Sequence, residues 1–432
     1  MRVIEVSHGQ PETALSTLGS APARYDSLPA WPRARPAGSR TRHLALQYAA
    51  HLGQPPLRTA DGHNHDQRRA SWLELFFDLA FAGAVGQLAG ALQDQPSLGN
   101  LARFVMLFTP IWWLWVQLTF YADRHESEDA THRISFLAAI LLCVGLAASA
   151  PRALDGNTSG FVIAFVLLRG LQLLLYARAR HHLPATRPLY NCYLTCFGAG
   201  GALWLASLAV GGPARYALWG VALLADAIGA MAMLVPRRRV PVNPMHLAGR
   251  FQLFVLIVLG ESMARLISAA ALRPWSLPLA IVLAAALITL AALWWAWLTA
   301  ADHRPLDGPP AAARFTALNL PLVAGIAAAS AGLHIAILAA DGANTIPIGP
   351  RAALYGGVSI CLLASAVLPA LRMSRTVRLI RVVTALAAMG LVFMGAVVEP
   401  VYLVPALTAI LVLGLWAERC VQDQPAPVQA LT

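Results

Sequence analysis

Residues 246–268 read HLAGRFQLFVLIVLGESMARLIS. Asn243 and Pro244 precede the stretch, a good N-cap followed by a residue suited to a first helical turn. From about Phe251 the segment is apolar enough for a membrane helix, yet it carries Arg250, Glu261 and Arg265. Ionisable groups in hydrocarbon are costly and mark either paired contacts or a pathway. Helical rise puts Glu261 roughly 15 Å into a core about 30 Å thick. At 100° per residue, His246, Arg250, Glu261, Arg265 and Ser268 fall within about 100° of arc. The expectation is a polar stripe, interrupted by Phe254 and Ile257, that faces other helices.

The rest of the chain agrees with a membrane protein. Of 432 residues, 58% are hydrophobic and 12% charged. Twelve windows are long and apolar enough to span: about 72–92, 101–121, 134–153, 160–180, 190–211, 214–235, 247–270, 275–300, 314–339, 351–371, 376–398 and 401–417. They lack the period-two alternation of barrel strands, so the fold class is an all-α polytopic bundle. The last window is the shortest and contains Pro405. Residues 1–70 are rich in Pro, Ala, Arg and Gly, lack periodicity, and read as a disordered basic tail. The two halves would be 71–240 and 241–420, six helices each, with a short tail at 421–432.

All 32 basic residues are arginine. With the N-terminus placed in the cytoplasm, 25 arginines fall on that side, 5 on the other and 2 (Arg169, Arg265) within spans. This is the positive-inside bias, and it puts both termini in the cytoplasm of a bacterial cytoplasmic membrane. The basic balance follows topology and gives no reason to expect nucleic acid as a partner. The expected partners are the lipid bilayer and an unidentified small molecule or ion.

A weak internal repeat supports the two halves. Trp112-Trp113-Leu-Trp115 followed by Ala122-Asp123-Arg124-His125 matches Trp294-Trp295-Ala-Trp297 followed by Ala301-Asp302-His303-Arg304. Six spans per repeat is even, so the halves would be parallel; many transporters are built from such repeats. The tryptophans near the ends of their spans fit an interfacial belt.

Three spans place charge at similar depth. Arg169 can pair with Asp226 or with Glu261, and Arg265 lies one turn from Glu261. Glu74 and Asp78 are an i, i+4 acidic pair near the start of span 1, at the depth of Arg250, and a contact among the three is expected. Such a cluster either pins helix packing or forms an ion-coupling site. The charged stretch from Asp123 to Arg133 reads as a solvated connector, as does the Asp61–Asp66 stretch with His63 and His65. Five cysteines, four in apolar windows and Cys420 just beyond one, read as small buried thiols, with no metal spacing. No GxGxxG, P-loop, GxSxG or HExxH occurs, so the sequence offers no catalytic residue, cofactor or metal site.

Trp72-Leu-Glu74-Leu-Phe-Phe-Asp78-Leu, Trp112-Trp113 with Tyr121-Ala-Asp-Arg124, and His246-Leu-Ala-Gly-Arg250-Phe-Gln-Leu-Phe with Leu259-Gly-Glu261-Ser together resemble the bacterial low temperature requirement protein A family over about residues 71–420. The resemblance implies a polytopic membrane protein, from a family named for growth at low temperature. Two positions depart from the family pattern: Gly249 where Glu precedes the arginine, and Asn319 where His precedes Leu-Pro. The expected function is a transporter-like or ion-coupled permease. The alternative is a membrane protein that supports envelope or lipid function in the cold without transport. A membrane-embedded enzyme stands third.

Overall fold

A computed structural model describes residues 71–125, 130–235, 240, 242–300, 308–342, 345–367 and 373–423. The N-terminal tail, the Asp61–Asp66 stretch and the Asp302-His303-Arg304 arm of the repeat lie outside the described residues. Those described form helices, with no strand among them. Twelve helices are long and apolar enough to cross a membrane: α1 Trp72–Asp94, α2 Leu98–Arg124, α3 Ala130–Leu154, α4 Ser159–His182, α5 Pro184–Ala209, α6 Gly212–Leu234, α7 Pro244–Ala271, α8 Leu277–Ala300, α9 Pro310–Leu338, α10 Ile348–Val367, α11 Arg375–Met394 and α12 Pro400–Gln422. The chain is a multi-pass membrane protein. Helix α12 is a full 23 residues, longer than its hydropathy window, and Cys420 lies inside it.

The helix starts follow local chemistry. Ser71 and Glu74 form a reciprocal capping box on α1, satisfying two backbone donors that the first turn leaves open. Asn243 caps α7 through the N–H groups of Met245 and His246. In lipid an open backbone donor has no water to fall back on, so these caps matter more than in a soluble protein.

Helix packing follows one pattern in both halves. Helix α1 lies along α3, and α7 along α9; α3 packs on α4 and α9 on α10; α4 on α5 and α10 on α11; α5 on α6 and α11 on α12. Helices α1 and α7 meet each other. Other pairings differ: α8 packs broadly along α12, while α2 makes no comparable contact with α6, and α9 lies on α1 without a comparable contact between α3 and α7.

Small residues bring backbones together where lipid gives no hydrophobic drive. A Cβ on Gly325 of α9 would stand 2.5 Å from the Gly357 carbonyl oxygen of α10, and one on Gly357 would stand 2.6 Å from that of Gly325. One π-helical turn, Ala352–Gly356, interrupts α10 beside this contact.

Candidate functional site

Two charged networks are buried between helices. The first lies where α1 and α7 begin and α2 ends. Glu74 and Asp78 are the third and seventh residues of α1; His246 and Arg250 are the third and seventh of α7. Arg250 donates from Nη2 to Asp78 Oδ1 at 2.6 Å and from Nε to Oδ2 at 2.9 Å. Its Nη1 is 3.2 Å from Glu74 Oε1. Trp115 of α2 donates to Asp78 Oδ1 at 2.8 Å. The His246 ring places Nε2 3.5 Å from Glu74 Oε2 and Nδ1 2.9 Å from Asp123 Oδ1. Asp123 also accepts the Asn243 backbone N–H at 2.7 Å. A doubly protonated imidazole can donate to both carboxylates, a neutral one to a single partner. All of these side chains are buried.

The second network sits at mid-span. Arg169 of α4 reaches Asp226 of α6 at 2.5 Å. Its Nη1 donates to Gln172 Oε1 at 2.7 Å and to Gln117 Oε1. Gln172 also donates to Gln117 Oε1, at 2.6 Å, and Tyr176 donates to the Gln117 carbonyl at 2.9 Å. Glycines make the space: a Cβ on Gly200 would lie 3.0 Å from Asp226 Oδ1, and one on Gly201 would lie 3.1 Å from Arg169 Cγ. The rings of Phe165 and Phe197 flank the guanidinium, 5.2 and 5.3 Å from its carbon.

Several sequence expectations change here. Arg169 pairs with Asp226 and not with Glu261. Glu261 does bond Arg265, at 2.9 Å, but the pair stays partly open, with side chains 38% and 17% exposed, and Ser268 is exposed. The stripe on α7 is therefore fully buried only in its first half. Farther along, Glu261 and Arg265 lie against Gly86 and Gly90 of α1, at an edge and not a centre. Asp123 and His125 are not solvated connector residues: α2 extends to Arg124 and buries both. Trp112, Trp115 and Trp297 are likewise core side chains instead of a belt; Trp115 packs on Phe251 and Phe254 of α7. Trp113 is half-buried, and Trp294 and Trp295 are exposed. Cys143 and Cys361 are buried thiols, but Cys192 and Cys196 are half-buried and Cys420 is exposed. Of the departures, Asn319 is buried and accepts from Trp297 Nε1 at 3.0 Å, while Gly249 has open space where a Cβ would be.

Gln117 and Gln172 went unread because a neutral amide in an apolar helix gives no charge signal. A third pair was also missed: Arg381 of α11 donates to both oxygens of Glu418 on α12, at 3.0 and 2.9 Å. Arg381 had been counted with the loop arginines, and so had Arg124 and Arg250; all three are buried. No group of three or more His, Cys, Asp or Glu able to hold a metal occurs among the described residues.

A cavity of about 320 Å³ opens beside the second network. Helices α2, α4, α5, α6 and α9 line it, with Gln117 among its lining residues.

Twelve spanning helices with ionisable groups locked between them define a polytopic membrane protein with a buried polar interior. The chain belongs to the bacterial low temperature requirement A protein (LtrA) family, whose pattern matches residues 69–416. It is similar to the uncharacterized protein RA0937 of Rhizobium meliloti (strain 1021), with 28% identity over 286 residues, 61% of this chain and 68% of that relative. No solved structure matches.

Proposed function

We propose that this chain is a transporter-like, ion-coupled permease, with α1 and α7 beginning at the cytoplasmic face of the bacterial inner membrane. One observation carries the reading: the cavity touches Gln117, whose side-chain oxygen is bonded by Arg169, the partner of Asp226. A permease needs a path from one side to a mid-membrane polar site, and an aromatic-walled cavity that reaches Gln117, one hydrogen bond from the buried ion pair, supports one. The recurrence of helix pairings in the two halves supports a parallel repeat architecture. Orientation rests on the arginines. Setting aside the buried Arg124, Arg250, Arg381 and, on the opposite side, Arg351, 22 remain against 4. The reading assigns no catalytic chemistry and no cofactor.

The pairing of Asp78 with Arg250, both fully buried, favours a second reading, a non-transport membrane protein that supports envelope or lipid function. The test is ion and proton flux in proteoliposomes, comparing wild type with Asp226→Asn. Flux that disappears in a still-folded Asp226→Asn protein supports the permease. Wild-type vesicles as tight as empty ones, across protons and the common ions, leave the structural reading.

A further inference from the structure

The cavity beside Gln117 has an asymmetric chemistry. Its walls are apolar and aromatic: Trp113, Phe120, Tyr176, Tyr193, Phe197 and Met231. Arg314, exposed on α9, is the charged group among the described lining residues, and no carboxylate is among them.

The unused hydrogen-bonding capacity consists of donors. Gln117 is 4% exposed, and its Nε2 has no partner among the described residues. The amide cannot be flipped to offer an acceptor instead. Its oxygen already receives Arg169 and Gln172, and a guanidinium has no acceptor with which to meet an NH₂. Behind the wall lies Arg124, fully buried, with Nη1 on the Tyr193 hydroxyl at 3.3 Å and Nε and Nη2 without a hydrogen-bond partner among the described residues. Its guanidinium carbon sits 5.3 Å from the Phe120 ring centre and 5.7 Å from that of Tyr193, two cavity side chains. Asp226 is the nearby carboxylate of the ion pair, but it is not among the lining residues and is held by Arg169.

The packing sets this place apart. In the second half, α8 and α12 close on each other, with Thr289 and Thr408 hydroxyls 2.9 Å apart and Thr408 on the Ala285 carbonyl. The corresponding gap between α2 and α6 holds the cavity: Trp113, Val116 and Gln117 face Ala227, Ala230 and Met231 across it.

We propose that this cavity binds an organic anion with a compact apolar body: a hydrophobic carboxylate, or the anionic head of a lipid with part of its chain. The volume suits a small ligand. Arg314 and Arg124 supply positive potential, the Gln117 amide N–H takes one anion oxygen, and the rings cover the body. An organic cation could stack on the same rings, but it would face Arg314 and Arg124 with no carboxylate among the lining residues to offset them. The inference rests on the reading that this cavity is a ligand site, and it needs no transport to hold.

The test uses the purified full chain in neutral detergent, with 1-naphthoate and octanoate as probes and 1-naphthylmethylamine as the cationic counterpart, measured by titration calorimetry. The expected result is binding of at least one anion and none of the amine. Arg314→Gln should weaken the anion by about tenfold, the scale of one charge-assisted contact, and Ala230→Trp should abolish binding by filling the space. Should Ala230→Trp fail to fold, the exposed Arg314→Gln and the amine comparison still decide. An amine that binds as well as the anions, or neither anion binding, overturns the proposal. In nanodiscs, naphthoate binding in phosphatidylcholine that is lost on adding phosphatidylglycerol identifies a lipid head as the occupant; retention identifies a water-borne anion. Anion binding without flux keeps the site and removes the permease; ion flux without anion binding does the reverse.

Discussion

Asp78 and Arg250 stand at the same position, seventh in α1 and seventh in α7, and are joined by two hydrogen bonds of 2.9 and 2.6 Å. Helices that begin side by side present equal rungs to each other, so each half brings one member of the pair. Removing one member leaves the other charged and buried, typically a loss of about 3–5 kcal/mol, whereas replacing both with apolar groups is far milder. Asp78→Leu should therefore lower the thermal midpoint sharply in detergent. Asp78→Leu with Arg250→Met should recover part of it, because the second change also takes Arg250 from Glu74, which keeps His246. A double mutant no better than the single one would show that the pair does not act as a unit.

Burial also ranks the acidic residues. Asp226 is buried against Arg169, while Glu261 is 38% exposed beside Arg265. Asp226→Ala strips the fully enclosed Arg169 of its carboxylate and should cost more stability than Glu261→Ala, which leaves Arg265 on a partly open face of α7. Paired unfolding curves give the order. Equal losses would return Glu261 to the centre that its place on α7 suggests.

The helices were legible because hydropathy and length decide them directly; depth brought Glu74 and Asp78 to Arg250, but left Arg169 open to either Asp226 or Glu261. Lateral position was not. Glu261 reads as central because it is mid-height on a polar stripe, but height says nothing about whether α7 is covered there. Asp123 and Arg124 read as loop because charge clusters beside them; the partners that let Asp123 be buried, His246 and the Asn243 N–H, lie about 120 residues away in sequence. Gln117 carries no charge, and only the meeting of α2, α4 and α6 reveals its role.

Glycine contacts give a sharper structural test. Gly325 and Gly357 each meet the carbonyl oxygen of the other, so a methyl group on either forces α9 and α10 apart. Gly83 of α1 has open space at the same point of its geometry. Gly83→Ala should be neutral or slightly stabilising, since alanine is the better helix former by about 1 kcal/mol. Gly325→Ala should lower the thermal midpoint and the yield of folded protein. Matching behaviour of the two would contradict the close approach.

Orientation is open to fusion reporters. A fluorescent protein joined after Thr432 should glow, because it folds in the cytoplasm, and alkaline phosphatase at the same point should be inactive. The arginine bias makes this expectation. Active phosphatase at the C-terminus would invert the topology and move the cavity's access to the other side of the membrane.

His246 ties three helices at one point: it belongs to α7, its Nε2 faces Glu74 of α1 and its Nδ1 faces Asp123 of α2. His246→Ala removes both contacts and leaves two carboxylates facing the vacated space, with Arg250 still holding Glu74. Their mutual repulsion in a low-dielectric setting should loosen the end of α2 from the start of α7. His246→Gln restores one donor and should retain part of the lost stability. Adding Glu74→Gln to His246→Ala removes one of the two charges and should recover more. Hydrogen exchange at the α7 N-terminus reports the loosening directly: the capped N–H groups of Met245 and His246 should exchange faster in His246→Ala, less so in the other two. Unchanged exchange in all three would mean that the Asn243 cap and the Asp78–Arg250 pair hold this end without the histidine.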